Sequence, residues 1–122
     1  DSLIDIALKI EPQNPYFLDT KAWILFGKKD FQKALLDYEK AGKYGAKHAF
    51  IFNNIGTVKK QLKDYQGAKD AYSKAVSLDS KFYLAYNNRG AMNMEQGKAN
   101  EALIDFNKAI QINKNSYIYS LI

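Results

Sequence analysis

The sequence returns to the same pattern every 34 residues, and a fixed period of that length leaves few folds open. Asp30-Phe31-Gln32-Lys33-Ala34, Asp64-Tyr65-Gln66-Gly67-Ala68 and Lys98-Ala99-Asn100-Glu101-Ala102 stand in parallel. Each leads to an aromatic (Tyr38, Tyr72 or Phe106) and then to Lys40-Ala41, Lys74-Ala75 or Lys108-Ala109. A period of about 20 to 50 residues marks stacked supersecondary units, each burying its apolar face on the next. Packing alone explains such a period. It points to a scaffold, not to a catalytic centre.

Apolar spacing and helix breakers predict seven helical segments. The first runs from Asp1 to about Ile10, with Leu3, Ile4, Ala7 and Leu8 on one face, and Pro12 and Pro15 close it. Three pairs follow: Tyr16–Phe26 with Phe31–Tyr44, Ala49–Leu62 with Tyr65–Leu78, and Tyr83–Gln96 with Ala99–Ile112. A further segment begins near Tyr117. Such short linkers force consecutive helices into antiparallel hairpins.

This pattern resembles the tetratricopeptide repeat, a helix-turn-helix unit of 34 residues. The second copy offers Phe52, Ile55-Gly56, Ala68 and Tyr72; the third offers Tyr86, Gly90, Ala102 and Phe106. The first copy, Leu18, Ala22, Ala34 and Tyr38, is degenerate but in step, and Ala7 to Pro12 resembles the end of a preceding repeat. The resemblance implies an all-α, right-handed superhelical solenoid of about three and a half repeats. Residues 1–14 end one repeat, 15–48, 49–82 and 83–116 form three, and 117–122 start another. The family's closing proline is replaced by Ala46, Ser80 and Lys114.

The small residues have a packing reason. Ala22, Gly56 and Gly90 are expected to face Ala34, Ala68 and Ala102 across each hairpin, with the aromatics filling the wider space between repeats. Ala41, Ala75 and Ala109 would then admit the next helix. The slot before the small residue is Lys21, Ile55 or Arg89, and sixteen residues on stand Asp37, Ala71 and Asp105. Basic residues thus match acids, and apolar matches apolar. Ion pairs Lys21–Asp37 and Arg89–Asp105 are expected.

Chemistry-bearing residues are scarce. The chain has no cysteine and a single histidine, His48, expected to be a solvated loop residue. Acyl-transfer triads and histidine- or cysteine-based metal sites therefore lack parts. No glycine-rich phosphate loop is present, so neither an enzyme nor a cofactor or metal site is expected. The net charge of +5 comes from 18 basic and 13 acidic residues interleaved along the chain, not from the gathered basic face of a nucleic-acid binder. No apolar run is long enough for membrane insertion.

In the resembled family, the first helix of each repeat lines the concave groove. Spacing of three and four then selects Tyr16, Asp19, Thr20, Trp23 and Phe26 from the first repeat. The second contributes Phe50, Asn53, Asn54, Thr57 and Lys60, with Gln61 at the edge. The third contributes Leu84, Asn87, Asn88, Ala91 and Met94, with Glu95 at the edge, and the truncated fourth adds Ile118, Leu121 and Ile122. The pairs Asn53-Asn54 and Asn87-Asn88 are unusual mid-helix, where asparagine is a mediocre helix former. Two readings stand side by side: the amides bridge adjacent repeats, or they hold a peptide backbone. The second resembles the asparagine ladder of the repeat-bearing sugar transferase, with Asn54 and Asn88 in the ladder slot and Thr20 breaking it. The carboxylate clamp of the family's co-chaperones uses Lys, Asn, Asn, Lys and Arg. Asp19, Trp23, Asn54, Leu84 and Asn88 stand there, and only Asn54 fits.

The function these features imply is a protein-protein interaction scaffold that holds a partner peptide or helix in the groove. Because the chain begins with a lone second helix and ends on the apolar Tyr117–Ile122, it is expected to be part of a longer array. Two alternatives accompany this: self-assembly through uncapped ends, or service as the recognition arm of a larger enzyme or sensor.

Overall fold

The computed structural model describes residues 2–120, and their side chains over residues 2–114. Those residues form seven α-helices and no strand: α1 (Leu3–Ile10), α2 (Pro15–Gly27), α3 (Phe31–Tyr44), α4 (Ala49–Gln61), α5 (Tyr65–Leu78), α6 (Tyr83–Glu95) and α7 (Ala99–Ser120). Local chemistry sets the starts. Ser2 Oγ accepts from the Asp5 N–H and so caps α1. Asn14 Oδ1 accepts from Tyr16 and Phe17, and Pro15 occupies the first position of α2, where its missing N–H costs nothing. Asp64 Oδ1 accepts from Gly67 at the start of α5.

The first helix of each hairpin ends in the same turn. In the first hairpin, Lys29 N–H donates to the Phe26 carbonyl and Asp30 N–H to the Leu25 carbonyl, both at 2.9 Å. The second repeats this with Lys63 to Lys60 and Asp64 to Lys59, and the third with Gly97 to Met94 and Lys98 to Asn93. This is the Schellman pattern, which needs a left-handed residue after the cap. Lys29, Lys63 and Gly97 adopt it, with φ of 63°, 67° and 76°. The turn thus recurs with the sequence period, and two of its three left-handed positions are held by lysine.

The hairpins α2/α3, α4/α5 and α6/α7 are the most extensively packed pairs, and successive hairpins join through α3/α4 and α5/α6. Ala34, Ala68 and Ala102 are fully buried, as are Ala41 and Ala75 at the joins between repeats. The atoms nearest Gly56 and Gly90 belong to the aromatic of the same hairpin. A Cβ on Gly56 would come within 2.6 Å of the Tyr72 ring, and one on Gly90 within 3.0 Å of the Phe106 ring. Tyr72 and Phe106 therefore lie over the glycine of their own hairpin. The aromatics also reach the next hairpin: Tyr38 shares a buried cluster with Ile51 and Ile55, and Tyr72 with Met92. The last hairpin also differs from expectation. Instead of ending near Ile112 with a new segment at Tyr117, the helix continues unbroken to Ser120.

A candidate partner-binding groove along the first helices

The helices α2, α4 and α6 lie side by side. Beyond consecutive elements, α4 and α6 are the pair in most intimate contact. Side chains about one repeat apart tie these helices together. Asn54 Nδ2 donates to Asp19 Oδ1, and Asn88 Nδ2 to Asn53 Oδ1, each at 3.0 Å. Lys60 Nζ meets Glu95 Oε1, also at 3.0 Å. Burial pushes the Asp19 carboxyl above its ordinary value, and the Asn54 amide pulls partly against that. Of the two readings of the asparagine pairs, the bridge between repeats is the one these contacts display.

The groove residues divide by exposure. Asn53 is buried, so it belongs to the bridge and not to an open surface. Asp19, Phe50, Asn54, Thr57, Asn88 and Ala91 are half-buried. Two hydroxyls are engaged: Thr20 Oγ1 donates to the Tyr16 carbonyl at 2.9 Å, and Thr57 Oγ1 to the Asn53 carbonyl at 3.1 Å. Thr57 Oγ1 also lies 3.1 Å from the Tyr72 hydroxyl. Tyr16, Trp23 and Leu84 are 53%, 63% and 45% exposed, and Thr20, Met94 and Asn87 are exposed as well. The side chains of Ile118, Leu121 and Ile122 lie outside the described residues.

Aromatic contacts give the surface two platforms. The Tyr16 ring stacks on Phe50 with centroids 6.1 Å apart, and the Trp23 ring stacks on Phe26 at 6.0 Å. His48 joins the first platform. It stands in the loop before α4, as expected, but is half-buried rather than fully solvated, with its Nε2 3.3 Å from the Tyr16 hydroxyl. Its neighbour Tyr16 stands 32 residues back, a contact that only the stacking of repeats creates.

The opposite side of α2 and of α6 carries an ion pair. Arg89 Nε and Nη2 donate to both oxygens of Asp105 at 2.9 and 2.7 Å, and Nη1 to Ser73 Oγ at 3.0 Å. The bond to Asp105 raises the guanidinium pKa further. Lys21 does not pair with Asp37. Its Nζ donates instead to Asp5 Oδ1 at 2.8 Å, and the ammonium holds the Asp5 carboxyl below the ordinary carboxylate value. Burial raises the Asp37 carboxyl. Sequence reasoning missed Asn93, whose buried Nδ2 donates to Asp105 Oδ2 at 3.3 Å while its Oδ1 lacks a donor. The signal was one amide between Met92 and Met94 where the other repeats have Leu25 and Lys59. Among the described residues no three metal-ligating side chains gather, and no helix is long and apolar enough to cross a membrane.

Repeated hairpins, a repeated turn and bridges between successive first helices define a helical-repeat solenoid. Tetratricopeptide repeat models match residues 83–116 and 51–82, together more than half of the chain, and the chain belongs to that family. No curated protein matches the sequence. Among solved structures, MamA is 20% identical, with a TM-score of 0.87 over 95% of this chain and 68% of its own. The second TPR of Spaghetti (RPAP3), bound to an HSP90 peptide, is 21% identical, with a TM-score of 0.77 over 82% of this chain and 93% of its own. The Arabidopsis OM64 TPR domain is 25% identical, with a TM-score of 0.78 over 83% of this chain and 84% of its own.

Proposed function

We propose that the chain is a protein-interaction scaffold whose first-helix face holds an extended peptide or a helix of a partner. The carrying observation is the exposure of Tyr16, Trp23 and Leu84 on a face whose backbone is stiffened by bridges between repeats. Large aromatic anchors on a rigid support are what concentrate binding energy at interfaces. The peptide carried by the RPAP3 repeat makes such an occupant natural for the shared fold. The anchors here are apolar, and Asp19 adds a carboxylate, so a C-terminal carboxylate is not the favoured ligand. Asn54 and Asn88 each spend one of two amide N–H groups on the bridge, and exposed Asn87 offers a further amide to a peptide backbone. Peptides selected from a random phage-displayed library on the wild-type protein should bind a Trp23→Ala/Leu84→Ala variant about tenfold more weakly. Equal affinity would remove this face from the proposal.

A second reading, self-association through the ends, rests on exposed apolar faces. Leu3 and Ile10 of α1 are 86% and 74% exposed, and Ile104 and Ile110 of α7 are 70% and 64% exposed. Sedimentation should then show mass rising with concentration, and Ile10→Lys with Ile110→Lys should abolish the rise. A mass independent of concentration would retire this reading.

A further inference from the structure

The grooves between successive second helices are built from equivalent positions, and one of them differs in chemistry from the other two. In the third repeat, Arg89 crosses the groove to Asp105 and Ser73. That pair walls two hollows, one of about 420 Å³ beside Tyr86 and Lys108, the other of about 220 Å³ beside Asn93 and Glu101. In the first repeat, Lys21 crosses to Asp5. In the second repeat no such pair crosses among the described residues. Ile55 replaces the base and Ala71 the acid, and both are buried. Gly42 stands where Leu8 and Val76 stand in the neighbouring repeats, and Gly67 where Lys33 and Glu101 stand. What remains is a hollow of about 450 Å³ between α3, α4 and α5. Its floor is Phe52, Ile55 and Ala71, and Gly42 lets α3 approach closely, since a Cβ there would meet Ile55 Cδ1 at 3.1 Å.

The rim supplies the second half of the chemistry. Lys43, Lys59 and Lys74 border this hollow. None of the three has a carboxylate within ion-pair distance among the described residues. Lys74 Nζ sits 5.8 Å from the Phe52 ring centroid, so one cation overhangs the apolar floor. Two acids, Glu39 and Asp70, share the rim with these three lysines, and Asp70 accepts from Gln66 Nε2 at 3.0 Å, so the rim keeps a net positive charge. Apolar floor and unpaired ammonium groups together ask for a ligand that is apolar in the middle and anionic beside it.

We propose that this outer groove is a second binding site, separate from the first-helix face. It takes a partner peptide that inserts an aromatic side chain over Ile55 and Ala71 and sets flanking carboxylates against Lys43, Lys59 and Lys74. The hollow of about 450 Å³ is comparable in volume to ligand clefts, about 300 to 1,000 Å³. Charge complementarity at the rim fixes orientation and partner choice more than affinity.

The test is a chemical-shift titration of the full chain with the peptide Ac-Glu-Glu-Phe-Glu-Glu-NH2. Two control peptides accompany it, one with Ala in place of Phe and one with Lys in place of every Glu. Saturable shifts at the amides of Gly42, Gly67 and Ala71 are expected, with both controls binding at least about tenfold more weakly. The double variant Ile55→Arg/Ala71→Asp installs the third repeat's ion pair in the second and should abolish these shifts. Should that variant fail to fold, Lys59→Glu/Lys74→Glu at the rim should abolish them equally. Three results would overturn the proposal: no shift in this groove, binding that survives these substitutions, or controls that bind as well as the test peptide. Shifts confined to Trp23 and Leu84 would overturn it too, while leaving the first-helix reading standing.

Discussion

At position 89 a basic side chain has polar neighbours sixteen residues behind it and sixteen ahead, because the preceding and following second helices both pass beside it. Arginine's planar fork reaches both at once, as Ser73 and Asp105 show, whereas the single ammonium of Lys21 settles on Asp5 alone. Removing the guanidinium leaves Asp105, which is 5% exposed, with only the Asn93 amide as a side-chain partner. Arg89→Ala should therefore cost about 3 kcal/mol in urea unfolding, whereas Arg89→Ile/Asp105→Ala, the second repeat's own solution, should cost well under half of that. Equal losses would mean that volume and not charge sets the penalty. The Arg89–Asp105 pair was readable because one spacing linked the two residues. The Lys21–Asp5 pair was not, since the same base fits a second spacing and only helix placement decides between them.

Among the elements, each first helix is shaped by what lies over its small residue. The Tyr72 ring is fully buried and its hydroxyl lies against Thr57, so it cannot retreat from a methyl group at Gly56. Phe106 is only half-buried and has no hydroxyl to hold it, so it can yield to one at Gly90. Gly56→Ala should accordingly destabilise by about 2 kcal/mol. Gly90→Ala should come out near neutral, because relief of the mid-helix glycine is worth about 1 kcal/mol. Thermal unfolding of the two variants checks this, and the reverse order would refute it. Six of the seven helices were legible from spacing, to within two residues at their ends, because Pro, Gly and Asp mark their limits. The break expected after Ile112 was not a real signal. Earlier repeats stop there at Gly45 and Asp79, whereas α7 runs on through Asn113-Lys114-Asn115.

Taken whole, the molecule is a line of hairpins whose stability is a sum of units and of the contacts between neighbours. The asparagine bridges are part of that second contribution, which sequence alone left undecided because an amide serves a neighbour or a ligand equally well. Asn88→Ala leaves the buried Asn53 oxygen without its donor and should weaken the joint between the second and third hairpins by about 1 to 2 kcal/mol. Hydrogen exchange should then quicken in α6 and α7 more than in α2 and α3; uniform quickening would contradict a local joint. The turn shared by Lys29, Lys63 and Gly97 carries a different consequence. Since the backbone closes each hairpin in one and the same way whatever side chain sits at the bend, a hairpin is an interchangeable part. A gene built this way can grow or shrink by whole copies, and each copy can drift toward its own ligand at the positions that do not bridge to the next.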